Sequence, residues 1–358
     1  MEIDTYRMLA QRLDSLPNGF PPTADGSELR LLSYLFTPEE AELAAQLRLT
    51  KETPEQIASR SGGDPQELAP RLKSMAKRGL IAAERMEGGL GYGLMPFVVG
   101  IYEMQIGRID AELAHLFEDY YQRAFGQVLS ISPPVHRVIP VRESVRVDME
   151  IRPYESAAEI IARAQAWGVL DCICRKQKSL LGEACEHPID VCMALSSQPG
   201  VFDHSTVVHA QTQEEALQTL QRAAHAGLVH TVSNNQRGTW YICNCCTCSC
   251  GVLRGLSEMG IANVVARSPF VNQVDEALCL ACQDCLDYCQ FNALSLDEVA
   301  HVDQLRCVGC GVCVPACPEG ALVLVRRPGD EIETVPVTEM DWMEQRAAGR
   351  GISLDQVL

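Results

Sequence analysis

Eight cysteines near the C-terminus form two runs of identical C-x2-C-x2-C-x3-C spacing, and the second run copies the first at a constant offset of 28 residues. The first run is Cys279, Cys282, Cys285 and Cys289, and the second is Cys307, Cys310, Cys313 and Cys317. Thiolates are soft ligands that select iron–sulfur clusters and zinc. Three thiolates from one tight loop can reach three corners of a cubane, so the fourth corner needs a thiolate from elsewhere in the chain.

The duplication resembles that of a bacterial two-cluster ferredoxin, in which the fourth cysteine of each run ligates the other cluster. The resemblance implies two [4Fe-4S] clusters, one on Cys279, Cys282, Cys285 and Cys317, the other on Cys307, Cys310, Cys313 and Cys289. A zinc site or a disulfide framework is the alternative, but zinc sites use four ligands in two C-x2-C units, which these two four-membered runs do not fit. The repeat has one departure, since Gln290 follows Cys289 where Pro318 follows Cys317.

Nine further cysteines lie upstream in two groups. They are Cys172, Cys174, Cys185 and Cys192, then Cys243, Cys245, Cys246, Cys248 and Cys250. Two separated groups of soft ligands indicate convergence on a metal centre. We predict at least one further [4Fe-4S] cluster in this stretch, because nine cysteines exceed the four that one cubane needs. Its expected ligands are Cys174, Cys185, Cys192 and one of Cys245, Cys246 or Cys248.

Other interpretations of these nine cysteines stay open. The adjacent pair Cys245-Cys246 is typical of non-cubane clusters of the heterodisulfide-reductase type, although that family has a different, longer spacing. A structural zinc site is the third interpretation. Cysteines left over from one cluster could be structural, hold a second cluster or act as redox thiols. His187 is the histidine expected nearest the metal, and Arg175 is either a solvated side chain or a donor to cluster sulfurs.

The order of the cysteine motifs along the chain provides a second resemblance. A C-x-C-R segment at Cys172 and an Asn-Cys-Cys segment at Asn244 both precede the duplicated runs. This order resembles a group of multi-domain iron–sulfur proteins from anaerobes. The resemblance implies iron–sulfur chemistry and no particular activity.

Composition limits the compartment and the partners. The chain has 358 residues, 17 cysteines and a formal net charge of −17. It begins with an acidic segment and no apolar stretch, so secretion is not expected, and no run is long enough to span a bilayer. Many free thiols need a reducing compartment, so we expect a cytoplasmic, oxygen-sensitive protein typical of anaerobes. The negative charge favours docking to basic patches of redox proteins.

The first 130 residues contain no cysteine and carry three helix-start signals, at Thr37-Pro38, Thr53-Pro54 and Asp64-Pro65. A hairpin is predicted around Gly88-Gly89. Three helices and a hairpin resemble a winged helix-turn-helix, and a long helix over roughly residues 97–125 is expected to close the unit.

The winged-helix resemblance raises the question of DNA binding. The third predicted helix carries Arg71, Lys73, Lys77 and Arg78, but residues 1–130 hold 13 Lys and Arg against 19 Asp and Glu. DNA-binding domains normally show a basic footprint. We therefore expect a partner-binding or homodimerisation domain and disfavour DNA.

The sequence predicts an α+β protein of three domains. These are a winged-helix-like interaction domain (1–130), a Cys-rich α+β metal-binding domain (135–268) and a two-cluster ferredoxin domain (269–330), followed by a polar tail (331–358). The predicted function is relay of low-potential electrons between redox partners. The alternatives are a redox-sensing winged-helix transcription regulator and an iron–sulfur oxidoreductase subunit with substrate chemistry at the middle-domain cluster; no catalytic residue is identified, and neither flavin nor nicotinamide binding is supported.

Overall fold

The computed structural model describes residues 2–358. The chain is of the α+β class and divides into two units. The first unit contains residues 2–132, 180–182 and 343–358, and the second contains residues 133–179 and 183–342. No helix among the described residues is both long and apolar enough to cross a membrane.

Side-chain caps start the helices of the first unit. The helices up to the hairpin are α1 (Glu2–Asp14), α2 (Ser27–Leu35), α3 (Pro38–Ala45), α4 (Pro54–Ser61) and α5 (Pro65–Lys77). Thr37 and Thr53 each accept the backbone N–H three residues on, and Glu40 and Gln56 accept the N–H of those threonines in return. Each such cap is worth about 1 kcal/mol of helix stability. The three helix starts expected from the sequence are therefore present.

A two-stranded hairpin follows the third of these capped helices. Strands β1 (Ala82–Met86) and β2 (Gly89–Gly93) are antiparallel. An isolated bridge joins Glu52 to Tyr92, so the residues just before α4 add a short third segment beside β2. The hairpin lies where the sequence predicts it.

The expected long helix over residues 97–125 is wrong. Val98 and Val99 have extended dihedral angles, and the chain then forms only a 3-10 turn, Glu103–Gln105. Asp110 accepts the N–H of Leu113 and so caps a new helix, α6 (Ala111–Tyr120), which continues through a wider turn into α7 (Gly126–Leu129). An Asp at this position satisfies an unpaired donor of a helix start, which breaks the expected helix.

The C-terminal segment contains a helix, α13 (Glu339–Arg350), where the sequence predicts only a polar tail. Arg346 is 1% exposed and donates to the carbonyls of Pro17, Val128 and Ile131. Trp342 is also buried, and its Nε1 donates to the Pro134 carbonyl. This segment is therefore built into the fold.

A mixed sheet organises the second unit. Its order is β6-β4-β5-β8-β7-β3-β9, and every neighbouring pair is antiparallel except β3 and β9. The strands are β3 (His136–Ile139), β4 (Ala166–Leu170), β5 (Cys192–Ser196), β6 (His209–Gln211), β7 (Val229–Ser233), β8 (Tyr241–Cys245) and β9 (Val265–Ala266). Helices α8 (Ala157–Arg163) and α10 (Gln213–His225) contribute Ile160, Ile161 and Ala216 to its apolar core.

One end of this sheet collects the upstream cysteines. Leu170 of β4 pairs with Cys192 of β5, Met193 of β5 pairs with Ile242 of β8, and Thr231 of β7 pairs with Cys243 of β8. The end of β4, the start of β5 and the end of β8 are therefore neighbours. Helix α9 (Ile173–Leu180) leaves the end of β4, and α11 (Arg254–Ser257) follows β8.

The duplicated cysteine runs lie on a smaller set of elements in the same unit. Strands β10 (Phe270–Val274) and β13 (Leu322–Arg326) pair antiparallel, as do β11 (Leu294–Leu296) and β12 (Ala300–Val302), and α12 (Asp284–Tyr288) is short. The Val141 N–H donates to the Cys310 carbonyl over 2.9 Å, and Ser144 Oγ donates to the Gly311 carbonyl over 2.7 Å. These bonds join the second run to the segment that follows β3.

Candidate metal centres

The two cysteine runs form two separate cavities. One is lined by Cys279, Cys282, Cys285 and Cys317. The other is lined by Cys289, Cys307, Cys310 and Cys313. The fourth cysteine of each run thus lies at the cavity made by the first three of the other run, which is the crossed arrangement that the ferredoxin resemblance implies. We call them the first and the second ferredoxin cavity.

The backbones of the two loops follow the same path. Positive φ angles occur at equivalent positions 28 residues apart: Ala281 (55°) and Gly309 (69°), Gln283 (76°) and Gly311 (78°), Asn292 (49°) and Gly320 (64°). Ala293 N–H donates to Cys289 Sγ and Ala321 N–H donates to Cys317 Sγ, both over 3.3 Å. N–H groups aimed at a cysteine sulfur stabilise its thiolate form and tune the potential of a bound cluster.

The surroundings of the two cavities differ. Leu278 and Leu280, beside the first cavity, are 47% and 69% exposed, whereas Val308 and Val312, in the second loop, are 5% and 1% exposed. Burial raises the pKa of Cys310 to about 12. Such thiols ionise only when a metal compensates the lost hydration, so metal binding in the second cavity would release protons.

The nine upstream cysteines divide into two groups at the cysteine-rich end of the sheet. Six thiols form a closed ring in which the pKa of each is shifted by its two neighbours, and we call it the six-cysteine ring. Its members in ring order are Cys172, Cys174, Cys250, Cys245, Cys243 and Cys192. From β7, Thr231 Oγ1 lies 3.5 Å from the Cys245 sulfur.

The other three cysteines form a compact group with one histidine, which we call the Cys3His group. Its ligand atoms, from Cys185, His187, Cys246 and Cys248, all lie within 4.8 Å of one another. A tetrahedral metal with thiolates at 2.3 Å and an imidazole at about 2.05 Å has ligand–ligand edges of about 3.6–3.8 Å. Cys248 Sγ lies 3.8 Å from His187 Nδ1. The spacing therefore fits a single metal ion better than a cubane, whose thiolates bind four different irons.

Hydrogen bonds polarise the Cys3His group. Ser249 Oγ donates to Cys185 Sγ over 3.4 Å. A hydrogen bond with Cys248, assisted by the charge of Arg175, lowers the pKa of Cys246 to about 5, and the same hydrogen bond raises the pKa of Cys248. One thiolate is therefore available at neutral pH, and a divalent cation would deprotonate the others.

Arg175 is the buried cation nearest both groups. It is 4% exposed, and its Nη1 donates to the Asn244 carbonyl over 3.1 Å and to Cys246 Sγ over 3.7 Å. Burial alone lowers the pKa of this guanidinium, but the charges of Cys172, Cys192 and Cys246 hold it above its ordinary value. Nε and Nη2 have no hydrogen-bond partner among the described residues.

The six expected ligands of this region do not come together. Cys174, Cys192 and Cys245 lie in the ring, whereas Cys185, Cys246 and Cys248 lie in the Cys3His group with His187, the histidine expected nearest the metal. Sequence reasoning left out the ring members Cys172, Cys243 and Cys250. The spacing of Cys243 and Cys245 is a signal for two of the ring members, since alternate residues of a strand share a face.

Gln290 connects the second ferredoxin cavity to the Cys3His group. It follows Cys289 in the chain, and its Oε1 accepts the Thr247 N–H over 2.7 Å while its Nε2 donates to the Gly227 carbonyl. Thr247 lies between Cys246 and Cys248. A proline, as at the equivalent Pro318, has no side-chain amide to make these bonds. The departure from the repeat therefore has a structural role.

Comparison with known families identifies one segment. A family model described as a 4Fe-4S dicluster domain matches residues 278–321, which include both cysteine runs. Searches of curated proteins and of solved structures found no match. The family match supports [4Fe-4S] clusters in this segment and an iron–sulfur electron-transfer role.

Proposed function

We propose that the protein relays low-potential electrons from a redox partner, through two [4Fe-4S] clusters, to a metal centre at the cysteine-rich end of the sheet. The observation that carries this proposal is the different environment of two otherwise equivalent cavities. One opens towards solvent, and the other lies against the segment after β3 and is bonded through Gln290 to the Cys3His group. In this arrangement the first cluster is the outer redox centre, which exchanges electrons with a partner, and the second cluster is the inner one.

Each cluster takes one cysteine quartet. The first ferredoxin cavity would hold its cluster on Cys279, Cys282, Cys285 and Cys317, and the second would hold its cluster on Cys307, Cys310, Cys313 and Cys289. The resident clusters supply one-electron chemistry. The chain's own contribution is to orient the thiolates, to donate hydrogen bonds to sulfur from Ala293, Ala321 and Asn272, and to keep water from the second cavity.

Electrons arrive at the first cavity by docking of a partner. Exposed Leu278 and Leu280 form an apolar centre, and Glu276, Asp284 and Asp287 are exposed close to them in sequence. An apolar centre with an acidic rim suits a redox protein that carries basic residues around its own cofactor. The net charge of −17 would steer such a partner over a longer range.

The inner metal centre is the Cys3His group. We place one ion here, because the ligand spacing fits a single metal; the sequence predicts a further [4Fe-4S] cluster on Cys174, Cys185, Cys192 and one of Cys245, Cys246 or Cys248. Iron in this site would be a third relay stop. Zinc in it would have no redox role, so metal identity is part of the test.

A second candidate function is that of an oxidoreductase subunit with substrate chemistry at the same site. The observation that favours it is the exposure of Cys248, the only member of the group of four that is exposed to solvent. An exposed ligand can be displaced by a substrate more readily than a buried one.

The first unit is proposed to bind a partner or a second copy of the chain in a cytoplasmic, reducing environment. Its α3, α4, α5 and hairpin have the element order of a winged helix. One of the basic side chains that could contact DNA, Arg78, is instead paired with Glu40 over 2.6 Å. This ion pair and the acidic composition argue against the transcription-regulator alternative.

The test is spectroscopic. Protein purified under anaerobic conditions and reduced with dithionite is expected to give the EPR signals of two interacting [4Fe-4S]+ clusters, with iron and acid-labile sulfide to match. Cys285→Ala is expected to remove one signal and leave the other. About four irons or fewer per chain in the wild-type protein, the content of a single cubane, would contradict the proposal.

A further inference from the structure

The six-cysteine ring is a built site that the relay does not use. It draws its thiols from the end of β4, the start of α9, the start of β5, the strand β8 and the turn before α11. Strand pairing brings the end of β4, the start of β5 and the end of β8 together, and each thiol shifts the pKa of its two neighbours. Three separate stretches of chain, residues 172–174, 192 and 243–250, therefore converge to make the ring.

Packing alone does not account for this ring. A free cysteine behaves as a small apolar residue, so a single buried cysteine needs no further explanation. Here six thiols contact one another, and all of them are free cysteines in the described chain, without disulfides. Convergence of soft ligands from separate elements is instead the pattern of a metal centre.

The number of thiols decides the kind of centre. One tetrahedral ion takes four ligands, which leaves two of the six thiols unused. A centre with more than one metal can use all six, with some of them bridging. The ring thus differs from the Cys3His group, whose four donors fit one ion.

Arg175 supplies buried hydrogen-bond donors beside the ring. Its Nε and Nη2 donors are buried without partners among residues 2–358, and the side chain interacts with Cys172 and Cys192 of the ring. A guanidinium beside a sulfide-bridged centre can donate to bridging sulfides, as hydrogen bonds to cluster sulfurs do elsewhere. Thiolate sulfurs accept such bonds too, so sulfide analysis is part of the test.

We propose that Cys172, Cys174, Cys192, Cys243, Cys245 and Cys250 hold a polynuclear iron–sulfur centre that is separate from the Cys3His group. Strand β8 ends at Cys245, which belongs to the ring, and the next residue, Cys246, belongs to the other group. Arg175 lies between the two centres and couples them electrostatically. This proposal does not depend on the electron relay, because it concerns metal content alone.

Two matched double variants of the full-length chain test it. Cys243→Ser/Cys245→Ser removes two ring members, and Cys246→Ser/Cys248→Ser removes two members of the other group on the same segment. The proteins are purified anaerobically, reconstituted with iron and sulfide, and analysed for iron, zinc, copper and sulfide. The ring variant is expected to lose about two or more irons and the matching sulfide, since the smallest such centre is [2Fe–2S]. The control variant is expected to keep its sulfide.

Three results would overturn the proposal. The first is a sulfide content of the ring variant equal to that of the wild type. The second is zinc or copper, without sulfide, bound by the ring. The third is a wild-type iron content no larger than that of the two ferredoxin clusters and one further ion. The iron content is measured by Mössbauer spectroscopy on the wild-type protein, so this test holds even if the ring variant fails to fold. Retained ferredoxin EPR signals report folding. Arg175→Gln is expected to lower the reduction potential of the ring centre more than those of the ferredoxin clusters.

Discussion

The two halves of the ferredoxin repeat share their ligand spacing and backbone path, yet their neighbours differ. In the first half Leu280 is 69% exposed, and in the second half its equivalent, Val308, is 5% exposed. Ala281 and Gln283 hold positive φ in the first loop, where Gly309 and Gly311 do so in the second. Duplication therefore supplies two equivalent cavities, and the surrounding chain gives them different environments.

The largest expected effect separates the two cavities by ligand removal. Cys285→Ala is expected to abolish the first cluster and Cys313→Ala the second, each with loss of about four irons per chain. Because the cavities are separate, the remaining cluster should keep its EPR signal in each variant. Loss of both signals in the Cys285→Ala protein would mean that the two cavities do not bind independently.

Backbone substitutions at equivalent positions test the crowding of the second loop. A Cβ at Gly309 would lie 2.0 Å from the Phe270 carbonyl oxygen, at a φ of +69°. Gly309→Ala is therefore expected to destabilise the protein by about 3 kcal/mol or more. The substitution at the equivalent position, Ala281→Gly, removes a side chain from a strained conformation and should change stability by less than about 1 kcal/mol. Thermal unfolding under anaerobic conditions compares the two variants. Equal losses of stability would mean that the second loop is no more crowded than the first.

Side-chain substitutions separate docking from stability. Val308→Ala removes buried methyl groups and should cost about 2 kcal/mol. Leu280→Gln, at the equivalent exposed position, should change stability by less than about 0.5 kcal/mol and slow reduction by a protein donor several-fold, while dithionite reduces it normally. Stopped-flow absorbance with both reductants is the measurement. An unchanged rate of reduction by the protein donor would mean that the docking site does not include Leu280.

The smallest expected effect concerns Gln290. Gln290→Ala removes the hydrogen bonds to Thr247 and Gly227, worth about 1 kcal/mol each. Electron transfer from the second cluster to the Cys3His group should slow, while the potentials of both clusters stay close to those of the wild type. Gln283→Ala, at an exposed position of the first loop, is the control. Equal electron-transfer rates in the two variants would mean that Gln290 does not contribute to transfer between the second cluster and the Cys3His group.

Local signals in the sequence predicted local structure well. The Thr-Pro and Asp-Pro starts gave three helices, because a cap and a proline act within one turn. The long helix failed for the same kind of reason, since Asp110 is also a cap and was read as part of the helix. The resemblance of the duplicated runs to a two-cluster ferredoxin predicted the crossed cavities.

The grouping of the upstream cysteines depends on strand order, which sequence spacing does not contain. Cys192 meets Cys172 and Cys243 only because β5 lies between β4 and β8. Cys245 and Cys246 are adjacent in the chain but belong to different groups, and the end of β8 lies between them. No count of cysteines along the chain would have separated the ring from the Cys3His group.

Rapid freeze-quench EPR of the Cys285→Ala protein, mixed with a reduced basic ferredoxin-type donor, tests the central claim most directly. If the exposed first cluster receives the electrons, the second cluster should remain oxidised during the interval in which the wild-type protein reduces both. The second cluster should still accept electrons from dithionite. Reduction of the second cluster by the protein donor at the wild-type rate would contradict the account.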